Sequence, residues 1–224
     1  QIVICIDEFQ QISDFEDSKT FQKKLRSVWQ LQQHVSYCLF GSKKHLMNEL
    51  FEKKNLPFYK FGDAIYLAKI ETKYWIEYIC KRFENTGKHI SPELAEEICR
   101  LVDNHSSYVQ QLSWLLWIRT INTATTEQLS YALEDLLDQN NILFQSETEN
   151  LSAYQMNFLK AIVDGIHTKF SSKEVISKYN LGTSANIVRL KNALLQKELI
   201  ETNGKEIVLA DPVFEVWFKK EMLY

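Results

Sequence analysis

The sequence lacks the features that would mark a membrane, secreted or low-complexity protein. It contains six glycines and three prolines among 224 residues, with no internal repeat and no low-complexity tract. No stretch approaches the roughly 18 uninterrupted apolar residues of a membrane-spanning helix, and no basic segment followed by an apolar one marks a signal peptide at the start. The length of 224 residues allows one large domain or two to three small ones, and 45% hydrophobic residues are enough to form their cores.

The four cysteines lie far apart and form no CxxC pair, and two of them fall within apolar, strand-like runs. We therefore expect buried free thiols in a reducing compartment, which predicts a cytoplasmic protein without a disulfide framework. The five histidines lack the spacing of metal ligands, so no zinc site is expected. The cysteines are Cys5, Cys38, Cys80 and Cys99.

The most informative feature that is present is an apolar run that ends in two acids. Ile2 to Ile6 reads Ile-Val-Ile-Cys-Ile and is followed by Asp7 and Glu8. Such a run is typical of a strand buried on both faces of a parallel sheet, and ligands of these sheets bind beyond the carboxyl ends of the strands. In P-loop nucleotidases the acid that closes this strand holds Mg²⁺, and the next acid can orient a water. The run has the form of a Walker B motif, although acids also follow strands for purely structural reasons.

Residues 1 to about 70 alternate between strand and helix patterns. The hydrophobic periods predict an amphipathic helix over 19–34, a second buried strand over 35–40, a short helix around 47–51 and a third strand over 64–67. Strands that alternate with helices in this way pair in parallel, with right-handed crossovers. The second strand ends at Gly41 and Ser42, which should therefore lie at the same sheet edge as the two acids.

From residue 71 to 146 the pattern is helical throughout, which predicts a small helical domain. Ser91 and Pro92 have the form of an N-cap followed by the first residue of a helix. A further helix is predicted over 126–140. Residues 108–121 are apolar nearly all round and are expected at the centre of the bundle. Their two tryptophans, Trp114 and Trp117, are accordingly predicted to pack in the core rather than to stack on a base.

Residues 147–224 have the element order of a winged helix, which is a helix, a helix-turn-helix and a β-hairpin. The strongest signal is Asn203-Gly204, because this pair favours the tight turn of a hairpin. Ser171 to Glu174 has the form of a capping box. The predicted elements are helices over 152–165, 171–179 and from 183 onward, a hairpin turning at 203–204, and an added helix over 211–222.

Taken together, these features resemble a known family. It is that of the prokaryotic AAA-type ATPases related to the archaeal ATPase group, within the STAND class of signal-transducing nucleotidases. The resemblance covers essentially the whole chain, and the order of the motifs is specific. The matching segments are Asp7-Glu8-Phe9-Gln10, Phe40-Gly41-Ser42, Phe61-Gly62-Asp63, Tyr108-Val109-Gln110-Gln111-Leu112 and Asp211-Pro212-x-Phe214-x-x-Trp217.

The resemblance implies a mainly α fold with a partial α/β parallel sheet. Residues 1–70 would be part of a P-loop core, 71–146 a helical lid and 147–224 a C-terminal winged helix. It also implies a site for ATP and Mg²⁺. Asp7 would hold Mg²⁺ through water, Glu8 would orient the attacking water, and Ser42 would sense the terminal phosphate. Nucleotide binding would move the lid and the winged helix relative to the core.

Two features depart from the family. The phosphate-loop pattern G-x-x-x-x-G-K-[ST] has no match in the sequence. At Gly87-Lys88, for example, Arg82 stands where the pattern needs its first glycine, and His89 stands where it needs Ser or Thr. We therefore expect the sequence to be the later part of a longer nucleotidase that would not hydrolyse ATP by itself. The segment from Asn104 to Tyr108 also lacks the proline that this family usually carries before its tyrosine.

The winged helix leaves two further interpretations open. Its second helix could enter the major groove of DNA, although ten Lys/Arg minus eight Asp/Glu give residues 151–224 a charge of only +2, which is low for a dedicated DNA reader. A non-enzymatic DNA-binding regulator and a protein-interaction module therefore stand beside the nucleotide-driven switch, and no membrane contact is expected. The candidate DNA contacts are Thr183, Ser184, Asn186, Arg189, Lys191, Asn192, Asn203 and Lys205.

Overall fold

The computed structural model describes residues 2–222, without the side chains of Lys44 and His45. The fold is mainly α-helical with a small parallel sheet and a C-terminal winged helix, as the sequence predicted. It divides into two compact units, residues 1–67 and 68–224, which are described separately. The strands are β1 (Ile2–Ile6), β2 (Val35–Leu39), β3 (Ile200–Asn203) and β4 (Glu206–Leu209). The helices are α1 (Ser18–Trp29), α2 (Lys44–Glu52), α3 (Thr72–Glu84), α4 (Pro92–Leu101), α5 (Ser106–Arg119), α6 (Thr126–Glu149), α7 (Ala153–Val163), α8 (Lys173–Lys178), α9 (Ser184–Gln196) and α10 (Pro212–Met222).

The first unit is built on β1 and β2, which pair in parallel from Ile2 opposite Val35 to Ile6 opposite Leu39. This confirms the predicted parallel pairing. A short 3₁₀ helix over Phe9–Asp14 follows β1, and its apolar side chains join α2 and the following loop in a small core. The buried members of this core are Phe9, Ile12, Leu50 and Phe58.

The prediction that β1 is buried on both faces is wrong. Ile2 and Val3 are 59% and 62% exposed. Among the described residues, β2 is the only strand that pairs with β1. The core of this unit packs partly buried side chains such as Ile6 and Leu39, so one face of the sheet is covered and the opposite face is open.

The predicted third strand is also wrong. Residues 63–71 have no regular secondary structure, and Ile65 and Leu67 are 85% and 93% exposed. A strand needs a neighbour to satisfy its backbone groups, and none of the described strands pairs with this segment.

The helices α3 to α6 form the first part of the second unit, and their caps follow the sequence signals. The Ser91 side chain accepts a hydrogen bond from the Leu94 backbone N–H at 3.2 Å, with Pro92 as the first helical residue. At the start of α6, Thr125 and Gln128 form a reciprocal capping box. None of the helices between residues 2 and 222 combines the length and the apolar character needed to cross a bilayer.

The expectation that α5 is surrounded by the bundle is wrong. Leu112 and Leu116 are fully buried on one side, whereas Trp114 and Ile118 are 56% and 52% exposed on the other. Trp114 is therefore not a core residue. Trp117 is half-buried, with its indole N–H donating to the Thr86 hydroxyl at 2.9 Å.

The winged-helix elements α7, α8, α9, β3 and β4 follow in the predicted order. The hairpin forms as expected, with β3 and β4 antiparallel and Gly204 at a positive φ of 62° in the turn. The short helix α8 begins one residue later than the predicted capping box requires. Its N-cap is Ser172, whose side chain accepts from the Val175 N–H at 3.2 Å.

Helix α6 is longer than predicted, because it continues without interruption to Glu149. Its last turns pack on the final helix: the ring of Phe144 lies 5.3 Å from that of Phe214, and Asn141 Oδ1 accepts from Trp217 Nε1 at 2.8 Å. The proposed boundary at residue 146 therefore falls within a helix. The division of the second unit into a lid and a winged helix stays a prediction.

Candidate functional site

The ends of β1 and β2 meet at one edge of the small sheet. The Phe40 N–H donates to the Ile6 carbonyl at 3.1 Å, and the Phe9 N–H donates to the Phe40 carbonyl at 3.0 Å. These bonds continue the ladder beyond the strands and hold the two following loops side by side. The edge that the parallel order predicted therefore carries Glu8 and Ser42 together.

Glu8 is held by side chains from both loops. The Ser42 hydroxyl donates to Glu8 Oε1 at 3.0 Å, and the Gln10 side-chain amide donates to Glu8 Oε2. The Glu8 backbone adopts a left-handed conformation with φ 49°, and its N–H donates to Asp7 Oδ1 at 2.8 Å. The three predicted site residues thus form one chain of hydrogen bonds, with Asp7 exposed and Glu8 half-buried.

The surroundings of Glu8 favour its ionised form. Its pKa lies below the ordinary value, first because the Ser42 hydroxyl donates to it and then because the Gln10 amide does, while the positive charge of Lys43 acts in the same direction. Donors to a carboxylate stabilise the charged state. Glu8 is therefore ionised at neutral pH, which is the state that can orient a water or accept its proton.

Gln10 belongs to the site, although the sequence reasoning gave it no role. It is 2% exposed and lies in the 3₁₀ helix directly behind Glu8. Its Oε1 atom is buried and accepts no hydrogen bond from the described residues. The only signal in the sequence was its place in the Asp7-Glu8-Phe9-Gln10 motif, because a lone glutamine after an acid has no distinctive pattern.

Gly41, in the loop that follows β2, lets the backbone pass close to Gln10. A Cβ atom at Gly41 would lie 1.9 Å from Gln10 Oε1. We expect Gly41→Ala to displace the buried Gln10, to break its hydrogen bond to Glu8, and to cost about 1–3 kcal/mol of unfolding free energy from overpacking. Chemical denaturation of the first unit measures this cost. Gly62→Ala is the matched control, since nothing lies within 4 Å of its Cβ position, and equal losses in the two variants would contradict the assignment.

The oxygen atoms at this edge are of the type that binds magnesium, but among residues 2–222 no group of three or more His, Cys, Asp or Glu side chains could hold a metal. Asp7 and Glu8 supply carboxylates and Ser42 a hydroxyl, and hard cations such as Mg²⁺ prefer oxygen ligands, often with retained waters. A phosphate chain needs more than these groups, namely a loop of backbone N–H donors with a lysine. The sequence contains no such loop, so the described residues offer oxygen ligands to a metal ion but no phosphate cradle.

The candidate DNA contacts lie at the start of α9 and at the hairpin turn. The Asn186 side-chain amide donates a hydrogen bond to the Leu181 carbonyl within the helix-turn-helix at 3.0 Å, so this amide already has a partner inside the protein. Lys191 is half-buried. Val188, in the middle of the exposed face of α9, is 61% exposed, so this face is partly apolar. The remaining candidates are exposed, namely Thr183, Ser184, Arg189, Asn192, Asn203 and Lys205.

Comparisons with known proteins agree with this architecture. A family described as a probable winged helix domain matches residues 142–220. The structure is similar to that of a Walker-type ATPase of Pyrococcus abyssi, with a TM-score of 0.73 and 17% sequence identity over 97% of this chain and 63% of that one. At this identity the likeness shows the fold, and the present chain spans 63% of the length of that ATPase. No curated protein matches the sequence.

Two more distant structures also align with nearly the whole chain. They are the RuvB Holliday junction branch migration motor of Thermotoga maritima, with a TM-score of 0.47 and 13% identity over 99% of this chain and 70% of that one, and the ORC1 protein of Aeropyrum pernix in complex with DNA, with a TM-score of 0.47 and 12% identity over 98% of this chain and 64% of that one. At these scores neither structure bears on the function.

Proposed function

We propose that the chain is the later part of an ATP-binding P-loop ATPase of the AAA/STAND type, in which ATP and Mg²⁺ binding moves a helical lid and a winged helix. The observation that carries the proposal is the position of the Glu8 carboxylate. It accepts a hydrogen bond from Ser42 and lies beside Asp7 at one end of a parallel sheet. The likeness of the fold to a Walker-type ATPase supports it. Residues 1–70 would belong to the nucleotide-binding core, 71–146 to the lid and 147–224 to the winged helix.

Each residue of the site has a proposed role. Bound ATP and Mg²⁺ would supply the phosphoryl group and its counter-charge. Asp7 is exposed and would hold the metal through water. Glu8, ionised and fixed by two donors, would orient the attacking water. Ser42 would keep Glu8 in place and contact the terminal phosphate. Phosphoryl transfer depends chiefly on such positioning and on stabilisation of charge.

The test uses the full gene product that contains these residues, with ATP and Mg²⁺. We expect magnesium-dependent ATP binding and slow hydrolysis, and we expect neither activity from the 224-residue chain, because its sequence lacks the phosphate loop. Equilibrium binding of a labelled nucleotide and release of phosphate measure the two activities. A full gene product that neither binds nor hydrolyses ATP would rule out the proposal.

A second candidate function is DNA binding by the winged helix, which the exposed Arg189 and Lys205 favour. We expect the 224-residue chain to shift a DNA duplex at low salt, with an affinity that falls as salt rises because phosphate contacts release counterions. Arg189→Ala should weaken binding by about 1–3 kcal/mol if it reads a base, or reduce the salt slope by about one unit if it contacts a phosphate.

Lys24→Ala in the first unit serves as the control for the DNA experiment, since Lys24 is exposed on α1 and is not part of the winged helix. A flat salt dependence, or no shift at low salt, would remove DNA binding and favour a protein-contact role for α9.

A further inference from the structure

Three titratable side chains meet at the junction of α5, α6 and α10. The Tyr108 hydroxyl, on α5, donates a hydrogen bond at 2.5 Å to Oδ2 of Asp211, the residue that precedes α10. Glu147 lies in the last turn of α6, where its charge acts on the Tyr108 hydroxyl and the charge of Asp211 acts on its own carboxyl group. This cluster therefore links the start of α5, the end of α6 and the start of α10.

Asp211 fixes both the first turn of α10 and the attachment of this helix to α5. Its Oδ1 atom accepts hydrogen bonds from the backbone N–H groups of Val213 at 2.7 Å and Phe214 at 3.0 Å, which is the bonding of an N-cap. Its Oδ2 atom accepts from Tyr108, which is buried. A change in the surroundings of the Asp211 carboxylate therefore acts directly on the start of α10.

Glu147 is the member of this cluster whose surroundings are unfavourable. It is half-buried, and burial raises its pKa first, with the negative charge of Asp211 acting in the same direction. The described part of the chain supplies no hydrogen-bond donor or cation that lowers this pKa. An ionised Glu147 is therefore a poorly solvated charge beside a second carboxylate, and both effects favour its protonated form.

The other charged groups on these helices are paired or exposed. Two cations have acidic partners, namely Arg119 with Asp135 and Lys219 with Glu215. The further charged residues of α10 and of the last two turns of α6 are exposed, namely Glu149, Lys220 and Glu221. The His105 ring, before α5, lies 4.7 Å from the ring of Tyr108. Asp211 is the charge that acts on the Glu147 carboxyl group.

We propose that Tyr108, Glu147 and Asp211 form a proton-controlled latch that fastens the start of α10 to α5 and α6. When Glu147 is protonated, its repulsion of Asp211 is absent and the latch is closed. When Glu147 is ionised, the two carboxylates repel each other, and the first turn of α10 separates from α5 more often. This device goes beyond the proposed ATPase function and does not depend on it, because no nucleotide takes part.

The direction of the pH dependence follows from the raised pKa of Glu147. A folded chain that holds a proton more tightly than the unfolded chain gains stability from that proton. The gain is complete below the ordinary pKa of a glutamate, and it is lost as the pH rises through the raised value. The latch is therefore weaker at neutral pH than in mild acid.

Hydrogen exchange of the 224-residue chain, measured by mass spectrometry from about pH 5 to 8, provides the test. We expect Glu147→Gln to slow exchange in the peptide that contains Val213 and Phe214, while α3 of the same unit keeps its rate. The slowing should be largest at the alkaline end and should shrink toward the acid end, where the unmodified Glu147 takes up its proton. Glu149→Gln, which changes an exposed acid in the same turn of α6, is the control and should leave exchange at α10 unchanged.

Two further variants address the partners of Glu147. Tyr108→Phe removes the donor to Asp211 and should speed exchange at the start of α10 by about tenfold, because hydrogen bonds to charged groups contribute about that much. Asp211→Asn keeps an N-cap acceptor but removes the second negative charge. In that background Glu147→Gln should slow exchange by a smaller factor than in the unmodified chain.

Other groups that titrate in this range are kept apart by comparing each variant with the unmodified chain at the same pH. Cys80 and Cys99 stay protonated, because burial raises the pKa of both thiols. Cys5 and Cys38 are exposed, which corrects the expectation that they are buried, and they belong to the first unit. His105→Gln removes the imidazole that lies against Tyr108 and should leave the pH dependence of the Glu147→Gln effect intact.

Four outcomes would overturn the proposal. They are unchanged exchange at α10 in Glu147→Gln, an equal slowing at every pH, an equal slowing in α3, and an effect that Asp211→Asn does not diminish. Because the experiment contains no nucleotide, each of these outcomes would leave the ATPase proposal standing, and a full gene product that fails to bind ATP would leave the latch standing.

Discussion

Replacement of Glu8 by glutamine is expected to abolish ATP hydrolysis by the full gene product while ATP binding persists. Glutamine keeps the size of the side chain and can still contact the Ser42 hydroxyl, but it cannot carry the negative charge that orients and deprotonates a water. Loss of a general base typically lowers the rate by about 10²–10⁴-fold. Phosphate release under saturating ATP measures the rate, and equilibrium binding of a labelled nucleotide measures affinity.

Two companion variants separate this role from a general loss of charge. Glu16→Gln makes the same change at an exposed acid of the first unit and should hydrolyse ATP normally. Ser42→Ala removes the donor that contributes most to lowering the pKa of Glu8. The pKa should therefore rise, and the acid side of the pH–rate profile should move to higher pH. Unchanged hydrolysis in Glu8→Gln would show that Glu8 does not act on the substrate.

Replacement of Trp217 by alanine is expected to be the most destabilising single change in the second unit. Trp217 is 2% exposed, its ring lies 5.6 Å from that of Phe144, and its indole N–H donates to Asn141 at 2.8 Å. The truncation leaves a cavity and an unpaired amide oxygen at once. Buried aromatic residues changed to alanine typically cost about 3–5 kcal/mol. Urea denaturation of the second unit measures the loss, with the two units fitted as separate transitions.

The matched control is Trp114→Ala, which removes the same side chain from a site that is 56% exposed. Most surface substitutions change stability by less than about 0.5 kcal/mol, so this variant should unfold close to the unchanged chain. Equal losses at the two positions would show that Trp217 is not part of the core that joins α6 and α10. Trp217→Phe should lie between them, because it keeps the packing and loses the hydrogen bond.

The features that could be predicted from sequence are those set by local chemistry. The Ser91 cap needs only a serine and a proline in the right order, and the hairpin at Asn203-Gly204 needs only a turn that accepts a positive φ. The pairing of β1 with β2 followed from the alternation of strand and helix. It placed Glu8 and Ser42 at one sheet edge before any contact was known.

The features that failed depend on what packs against a segment. The apolar run of β1 signals an ability to be buried, but burial depends on what packs over the strand, and among residues 2–222 Val3 stays 62% exposed. The same reasoning explains Ile65 in the predicted third strand and Trp114 on α5, both of which are exposed. Gln10 was missed because its role arises from the 3₁₀ helix that turns its amide toward Glu8, and this turn has no sequence pattern.

The continuity of α6 has a mechanical consequence. Its 24 residues form a hydrogen-bonded rod about 36 Å long, at about 1.5 Å per residue. Near its start the Gln128 side-chain amide donates to the Arg119 carbonyl at the end of α5 at 2.9 Å, and toward its end the ring of Phe144 lies 5.6 Å from that of Trp217. Because the helix is continuous, a tilt at one end displaces the other end, and no loop lies between the two ends to absorb the movement. An expression fragment that begins at residue 147 would interrupt α6. It would also lack Phe144, whose ring packs against those of Phe214 and Trp217.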